Sequence, residues 1–235
     1  MTTEELNFEV FLIISQKKFE ICLLDKKNLK NIFKEEIQIE TYTGLIDYNL
    51  LSNFLNKNIF KIEKLIGKFL KNIFVIIENN KIINSSFGIK KKNYVTSIDK
   101  QYLESSLTEL KDLFKENYQT YKIMHFIINR YSIDGVNYNL FEDEIDGEHM
   151  CLEVNFISIP NILIKEISHI LEKYQIKIDR FFDINYLKKF SELDSLDLSI
   201  AAFNLQSGQN HNEINLVPKN PKTKGFFEKF FQLFS

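Results

Sequence analysis

His125-Phe126-Ile127-Ile128-Asn129-Arg130-Tyr131-Ser132-Ile133-Asp134-Gly135 is the stretch on which the fold turns. Aromatic and β-branched residues crowd it, so the sequence predicts a strand over 122–133. A polar, acidic segment at 134–148 follows, then a second strand at 149–159, which Pro160 ends. Upstream, a helix is expected over 98–116, capped by Thr96 or Ser97. Lys90-Lys91-Lys92-Asn93 marks a boundary, and the texture of the sequence restarts at 94.

The flanking sequence has its own order. Residues 8–14 and 19–24 are short apolar runs that read as strands joined by the turn Ser15-Gln16-Lys17-Lys18. A third strand over 30–40 completes a meander. Asp47 then caps a long helix, in which Leu50, Leu51, Phe54, Leu55, Ile59, Ile62, Leu65, Ile66 and Phe69 recur at three- and four-residue steps. Residues 72–77 read as a buried strand, with a turn near Asn79-Asn80. Beyond Pro160 come a helix over 161–174, a strand over 176–182, a short polar helix near 184–192 and a small-residue helix around Ser199-Ile200-Ala201-Ala202. Residues 206–223, rich in Ser, Gly, Gln, Asn and Pro, read as a linker. No internal repeat is visible.

The chain has 235 residues, 44% of them hydrophobic, and a net charge of −2. That is enough for one core or for two small ones. The near-neutral charge offers no basic field for nucleic acid, so none is expected as a partner. Cys22 and Cys151 sit in apolar runs without a CxxC pair, as in a reduced compartment. The acidic start Met1-Thr2-Thr3-Glu4-Glu5 is unlike a signal peptide. No apolar run approaches the roughly 18 residues of a spanning helix. A cytoplasmic protein with at most a surface anchor is expected.

That anchor is expected in the last residues. Phe226, Phe227, Phe230, Phe231 and Phe234 fall at i, i+1, i+4, i+5 and i+8, on one face of a helix over 224–235. Lys219, Lys222, Lys224 and Lys229 favour anionic headgroups. A single such helix binds weakly and reversibly. Docking on the chain's own core or on a partner protein are the other readings of the same spacing.

No catalytic constellation emerges. His125, His149, His169 and His211 lack metal-ligand spacing, and His125 reads as a satisfied histidine in a strand. Asp143, Glu144, Asp146 and Glu148 read as a solvated turn, with a divalent cation site the second reading. GxSxG, Walker and GxGxxG patterns are absent, and seven glycines leave little with which to build a phosphate cradle. Neither cofactor nor metal is expected, and the chain is not expected to be an enzyme.

The order of elements resembles the first large subdomain of the actin superfamily with a small domain inserted, and most closely the bacterial cell-division family FtsA. Gly44-Leu45-Ile46-Asp47 resembles that family's helix start. Val95-Thr96-Ser97-Ile98-Asp99 resembles the entry to its inserted SHS2, or 1C, domain. The run His125–Gly135 is similar to its His–hydrophobic–Tyr–x–hydrophobic–Asp–Gly segment. Asp146-Gly147 through Cys151-Leu152-Glu153-Val154 is similar to the strand that follows, and the Phe-rich end is similar to its membrane-targeting tail. The resemblance implies an α/β fold: an actin-like (ribonuclease H-like) subdomain 1A over 1–92 and 161–205, with an SHS2 α+β domain inserted over 93–160. A linker at 206–223 and an amphipathic helix at 224–235 follow.

Two departures bear on function. Where the family has an Asp–x–Gly phosphate loop, Ile13 stands at the Asp position and Ser15 at the Gly position. With Lys17 these form a degenerate loop, and an aliphatic residue cannot orient a magnesium-bound water. Between Ile184 and Ser199 there is also no room for the family's second half, which carries its other phosphate loop, its adenosine pocket and its site for the FtsZ tail. The resemblance therefore implies a nucleotide-free division adaptor on the inner membrane face, at the division site. Its expected partners are anionic lipid, an FtsN-like cytoplasmic segment, FtsZ and further copies of itself. Tyr131, Asp134, Gly135 and Gly147 are its expected interaction residues. The alternative is an actin-like scaffold of a type IV pilus or type II secretion platform. Asn215-Leu216-Val217-Pro218 is similar to the Asn–Leu–x–Pro peptide of pilus assembly partners.

Overall fold

A computed structural model describes residues 8–40, 44–94, 97–138, 144–190 and 197–214. In chain order the strands are β1 (Phe8–Ile14), β2 (Lys18–Asp25), β3 (Lys30–Gln38), β4 (Asn72–Ile77), β5 (Ile83–Lys92), β6 (Ser97–Asp99), β7 (Tyr121–Ile133), β8 (Val136–Asn137), β9 (Glu144–Asp146), β10 (His149–Pro160), β11 (Lys177–Asp183) and β12 (Glu213–Ile214). The helices are α1 (Tyr48–Ile66), α2 (Lys100–Asn117), α3 (Asn161–Glu172), α4 (Ile184–Phe190) and α5 (Leu198–Gln206). The chain divides into two compact units. The first holds Met1–Lys81 and Ile162–Ser207, and the second holds Ile82–Asn161 and Gly208–Ser235.

The first unit is built on the sheet β11-β4-β1-β2-β3. β1, β2 and β3 form an antiparallel meander, and β4 and β11 add in parallel on the other side of β1. A meander followed by parallel strands in this order is the arrangement of an actin-like, ribonuclease H-like subdomain. Both faces of the sheet are buried, which is why β1 and β4 are continuous apolar runs rather than alternating ones. Phe11, Ile13, Cys22, Leu24, Phe74, Ile76 and Phe182 share one core with Leu187 of α4 and Ala201, Ala202 and Leu205 of α5. The small alanines let α5 lie close to the sheet. Leu12, Ile14, Ile21, Leu23, Val75 and Ile77 point the other way and are buried too. Helix α1 starts where Asp47 accepts a hydrogen bond from Leu50 N and stops at Gly67, whose φ of 70° is left-handed. The Tyr48 hydroxyl donates to Glu166, fastening α1 to α3; burial and that carboxylate both push the phenol's pKa up.

In the second unit the antiparallel sheet runs β12-β7-β10-β5, with β8 pairing to β7, and β6 and β9 form a separate two-stranded ladder. Leu103, Leu107, Leu110 and Phe114 of α2 pack on Phe126, Ile128, Val154 and Phe156 of the sheet. The ring of Phe156 lies 4.5 Å from Phe126 and 4.9 Å from Phe114 between centroids. The α/β class is therefore the one the sequence predicts, and an α+β unit separates the two parts of the first unit in chain order.

The boundaries differ. Residues 83–92, expected in the first unit, form β5 and pair with β10 from Ile83↔Ser158 to Lys92↔His149. The break accordingly falls at Lys81/Ile82, not at 92/93. Helix α2 is capped by Asp99, which accepts from Tyr102 N, and Ser97 instead belongs to β6. Of the expected linker at 206–223, the described part is not free chain. Residue 206 ends α5, and β12 pairs with Phe126 and Ile127 of β7. The expected tail helix, with Lys224, Phe226, Phe227, Lys229, Phe230, Phe231 and Phe234, lies outside the described residues, as does Asn215–Pro218.

Candidate functional site

Two places carry the residues singled out by the sequence, one in each unit. In the first unit the β1–β2 turn stands at the position of the expected phosphate loop. Ile13 is buried in the core. Ser15 closes the turn on itself: its hydroxyl accepts from Lys17 N at 3.3 Å and Lys18 N at 3.1 Å, and both its N–H and its hydroxyl meet Lys18 O at 3.0 Å. The backbone N–H of Gln16 points to the Glu78 carboxylate at 3.4 Å, while Glu78 N donates to Ile14 O at 2.9 Å. The turn's donors thus face the protein's own oxygens, one of them a carboxylate that would repel phosphate. Lys17 itself is exposed.

Beside the turn lies a charged group that the sequence reading missed. Glu20 is 3% exposed. Lys34 Nζ lies 2.9 Å from it, Lys18 Nζ also contacts it, and the Cys22 thiol donates to it at 3.2 Å. Burial opposes charge on this carboxylate, but hydrogen bonds from Lys18, Lys34 and Cys22 outweigh burial and hold its pKa below the usual value. Burial and the adjoining Glu20 push the Cys22 thiol far up, so it is no nucleophile. The available signal was the single acid in Phe-Glu-Ile-Cys-Leu-Leu. A charge inside a strand buried on both faces needs partners.

In the second unit the structure brings Asp134, Gly135 and Gly147 together, while Tyr131 lies further along β7, opposite Leu152. Asp134 (φ 48°) and Gly135 (φ 85°) form the two-residue turn between β7 and β8, a conformation that favours glycine and tolerates aspartate. The Asp134 carboxylate accepts from Glu148 N at 2.9 Å and His149 N at 2.8 Å, and Asp134 N donates to His149 O at 2.8 Å. Those two backbone N–H groups hold the carboxylate below its ordinary pKa. The sign follows: its contribution to stability is complete above the ordinary value of about pH 4 and is lost as pH falls through the lowered one. Tyr131 is buried, its carbonyl accepts from Tyr138 N at 2.9 Å, and the two rings stand 6.0 Å apart.

Gly147 is required by space. A Cβ there would lie 2.1 Å from Ile133 Cγ2 and 2.9 Å from Asp134 Oδ2. Ile133 is buried and β-branched, so it cannot swing aside. Gly147→Ala is expected to destabilise the second unit by about 1–3 kcal/mol, read from a chemical denaturation curve. An unchanged midpoint would mean that this strand entry rearranges freely. Asp134 and Gly147 thus fasten the entry of β10 to the β7–β8 turn, and of the four expected residues Asp134 and Gly135 are exposed.

The histidine expected to be satisfied in its strand is so. His125 is fully buried, with Nδ1 2.8 Å from the buried Glu213 Oε1, which joins β12 to β7. Glu213 falls in the expected linker and was not singled out by sequence. Among the described residues no group of three or more His, Cys, Asp or Glu is placed to hold a metal ion. None of their helices is long and apolar enough to cross a membrane.

No family model matches this chain. It is 29% identical over 223 residues to a DNA-directed RNA polymerase subunit beta of Neospora caninum, a match covering 90% of this chain but 18% of that protein. Among solved structures it is similar to the PilM–PilN type IV pilus biogenesis complex, with a TM-score of 0.45 and 9% identity over 77% of this chain and 49% of that one. It is similar also to the cytoplasmic domain of EpsL, an inner-membrane component of the type II secretion system of Vibrio cholerae. There the TM-score is 0.34 and the identity 7%, over 75% of this chain and 55% of that one. A Bacteroides thetaiotaomicron protein with an actin-like ATPase fold gives 0.35 and 18% over 80% and 57%. The chain thus spans 49–57% of the length of these structures. Nothing in these likenesses points to FtsA specifically.

Proposed function

We propose that this chain is a non-catalytic, actin-like scaffold that gathers proteins at a membrane surface, of the kind used by pilus or type II secretion platforms. The observation that carries the non-catalytic part is the β1–β2 turn. Its N–H groups are turned to Ser15 Oγ and Glu78, and Ile13 fills the place of a metal-orienting acid. Such a turn offers phosphate no free backbone N–H, and the Glu78 carboxylate beside it repels the anion. Titration calorimetry with magnesium and ATP is expected to give no heat of binding. Affinity in the millimolar range or tighter would restore a nucleotide-dependent role.

What remains for activity is contact with partners. The exposed Asp134–Gly135 turn, with Val136 57% exposed beside it, is the proposed protein contact of the second unit. The phenylalanine spacing of the last residues is the proposed lipid contact. A division adaptor of FtsA type is the second reading. It is supported by the matching segments at 125–135 and 146–154, with an FtsN-like segment or FtsZ as partner. A tagged copy distinguishes the settings: foci that follow pilus or secretion machinery are expected, whereas a midcell band in dividing cells would move the reading to division.

A further inference from the structure

The second unit leaves one long strand edge open. β5 spans ten residues and pairs along its whole length with β10 without a bulge, and among the described residues no strand pairs with its other side. Proteins blunt such edges with proline, bulges or charge. Here only the end bears charge, at Lys90, Lys91 and Lys92. Phe87 and Ile89 face the α2 core, while Asn84, Ser86, Gly88, Lys90 and Lys92 lie on the exposed face.

We propose that this edge pairs with β5 of a second copy, antiparallel and centred on Gly88. A two-fold axis perpendicular to the sheet puts residues of like face opposite each other, so the register must pair even with even and odd with odd. With Gly88 on the axis, Phe87 lies opposite the second copy's Ile89, an aromatic–β-branched pair of the favourable kind. Lys90 lies opposite the second copy's Ser86, Lys91 opposite Ser85 and Lys92 opposite Asn84. No lysine meets a lysine. A parallel, in-register pairing would set all three against themselves, so the lysines select the antiparallel dimer and oppose open-ended parallel stacking. The inference rests on the sheet edge and does not need the scaffold reading.

The register makes the test specific. In sedimentation of the full chain, a concentration-dependent dimer is expected. Ser86→Lys places a second charge opposite Lys90 twice per dimer and should weaken association on the order of tenfold, whereas Ser86→Glu should tighten it comparably. Ser86 is exposed, and its hydroxyl's bond to Asn155 Oδ1 is lost alike in both variants, so the difference between them reads the charge. A Cβ at Gly88 meets nothing closer than 3.5 Å, so Gly88→Cys is tolerated. In a Cys151→Ser background it should oxidise to a symmetric disulfide-linked dimer, since opposed antiparallel residues have Cα atoms about 4.5–5.5 Å apart. Asn84→Cys, opposite Lys92, should not. Two results would each overturn the proposal: a monomer at every concentration, or equal effects of lysine and glutamate at 86. A cross-link at Asn84→Cys but not Gly88→Cys would overturn it as well.

Discussion

Glu213→Ala is expected to cost the second unit about 1–3 kcal/mol, because it removes the carboxylate that meets the buried His125 ring. Both side chains are buried, at 0% and 2% exposure, and the 2.8 Å contact joins strands that are 88 residues apart in sequence. His125→Ala should cost a similar amount from the other side, by removing the ring that the buried carboxylate meets at 2.8 Å. Replacing both, as His125→Phe with Glu213→Leu, should recover most of the loss, since replacing both partners of a buried hydrogen bond by apolar groups of like shape can be nearly neutral. Two units need not unfold together, so hydrogen exchange at the β7 amides is the appropriate readout. A Glu213→Ala protein whose β7 amides keep their full protection would show that β12 is dispensable.

That pair also marks where the sequence stops being readable. The strands of the first unit are legible because both faces of the sheet are buried, so β1, β2 and β4 are apolar runs bounded by polar turns. The Asp47 cap and the three- and four-residue spacing of α1 are local signals and are found in place. β5 is not legible in the same way. Ile-Asn-Ser-Ser-Phe-Gly-Ile-Lys-Lys-Lys has one weakly apolar face, and its partner β10 lies some sixty residues further along the chain. β12 is two residues long in a stretch of linker-like composition, held by a register to β7 that composition cannot reveal. In the candidate sites, Ile13, Ser15, Asp134 and Gly147 could be picked out as motif positions. Their partners Glu78, Glu148 and His149 could not, since those hydrogen bonds exist only once distant strands are side by side. Glu20 lay between the two cases: its burial follows from its strand, but its lysine partners follow from the meander's register.

Replacing Phe227 and Phe231 with glutamate is expected to release the chain from anionic vesicles while leaving both units folded. Each buried phenylalanine contributes roughly 1.5–3 kcal/mol to partitioning, so losing two lowers it by at least about a hundredfold before the new charges are counted. On the proposed helix Phe226, Phe230 and Phe234 line one side of the apolar face and Phe227 and Phe231 the other, so two carboxylates there halve the width of the face and set charge against what remains. Lys219, Lys222 and Lys224 add about 1 kcal/mol each near an anionic surface. Binding of the unsubstituted chain should therefore weaken with salt, and neutral vesicles should retain less of it. Vesicle co-sedimentation reads both effects, and the unchanged unfolding of the described units controls for misfolding. A doubly substituted chain that still pellets with vesicles would place the lipid contact elsewhere, and the terminal phenylalanines would then be a docking face for protein.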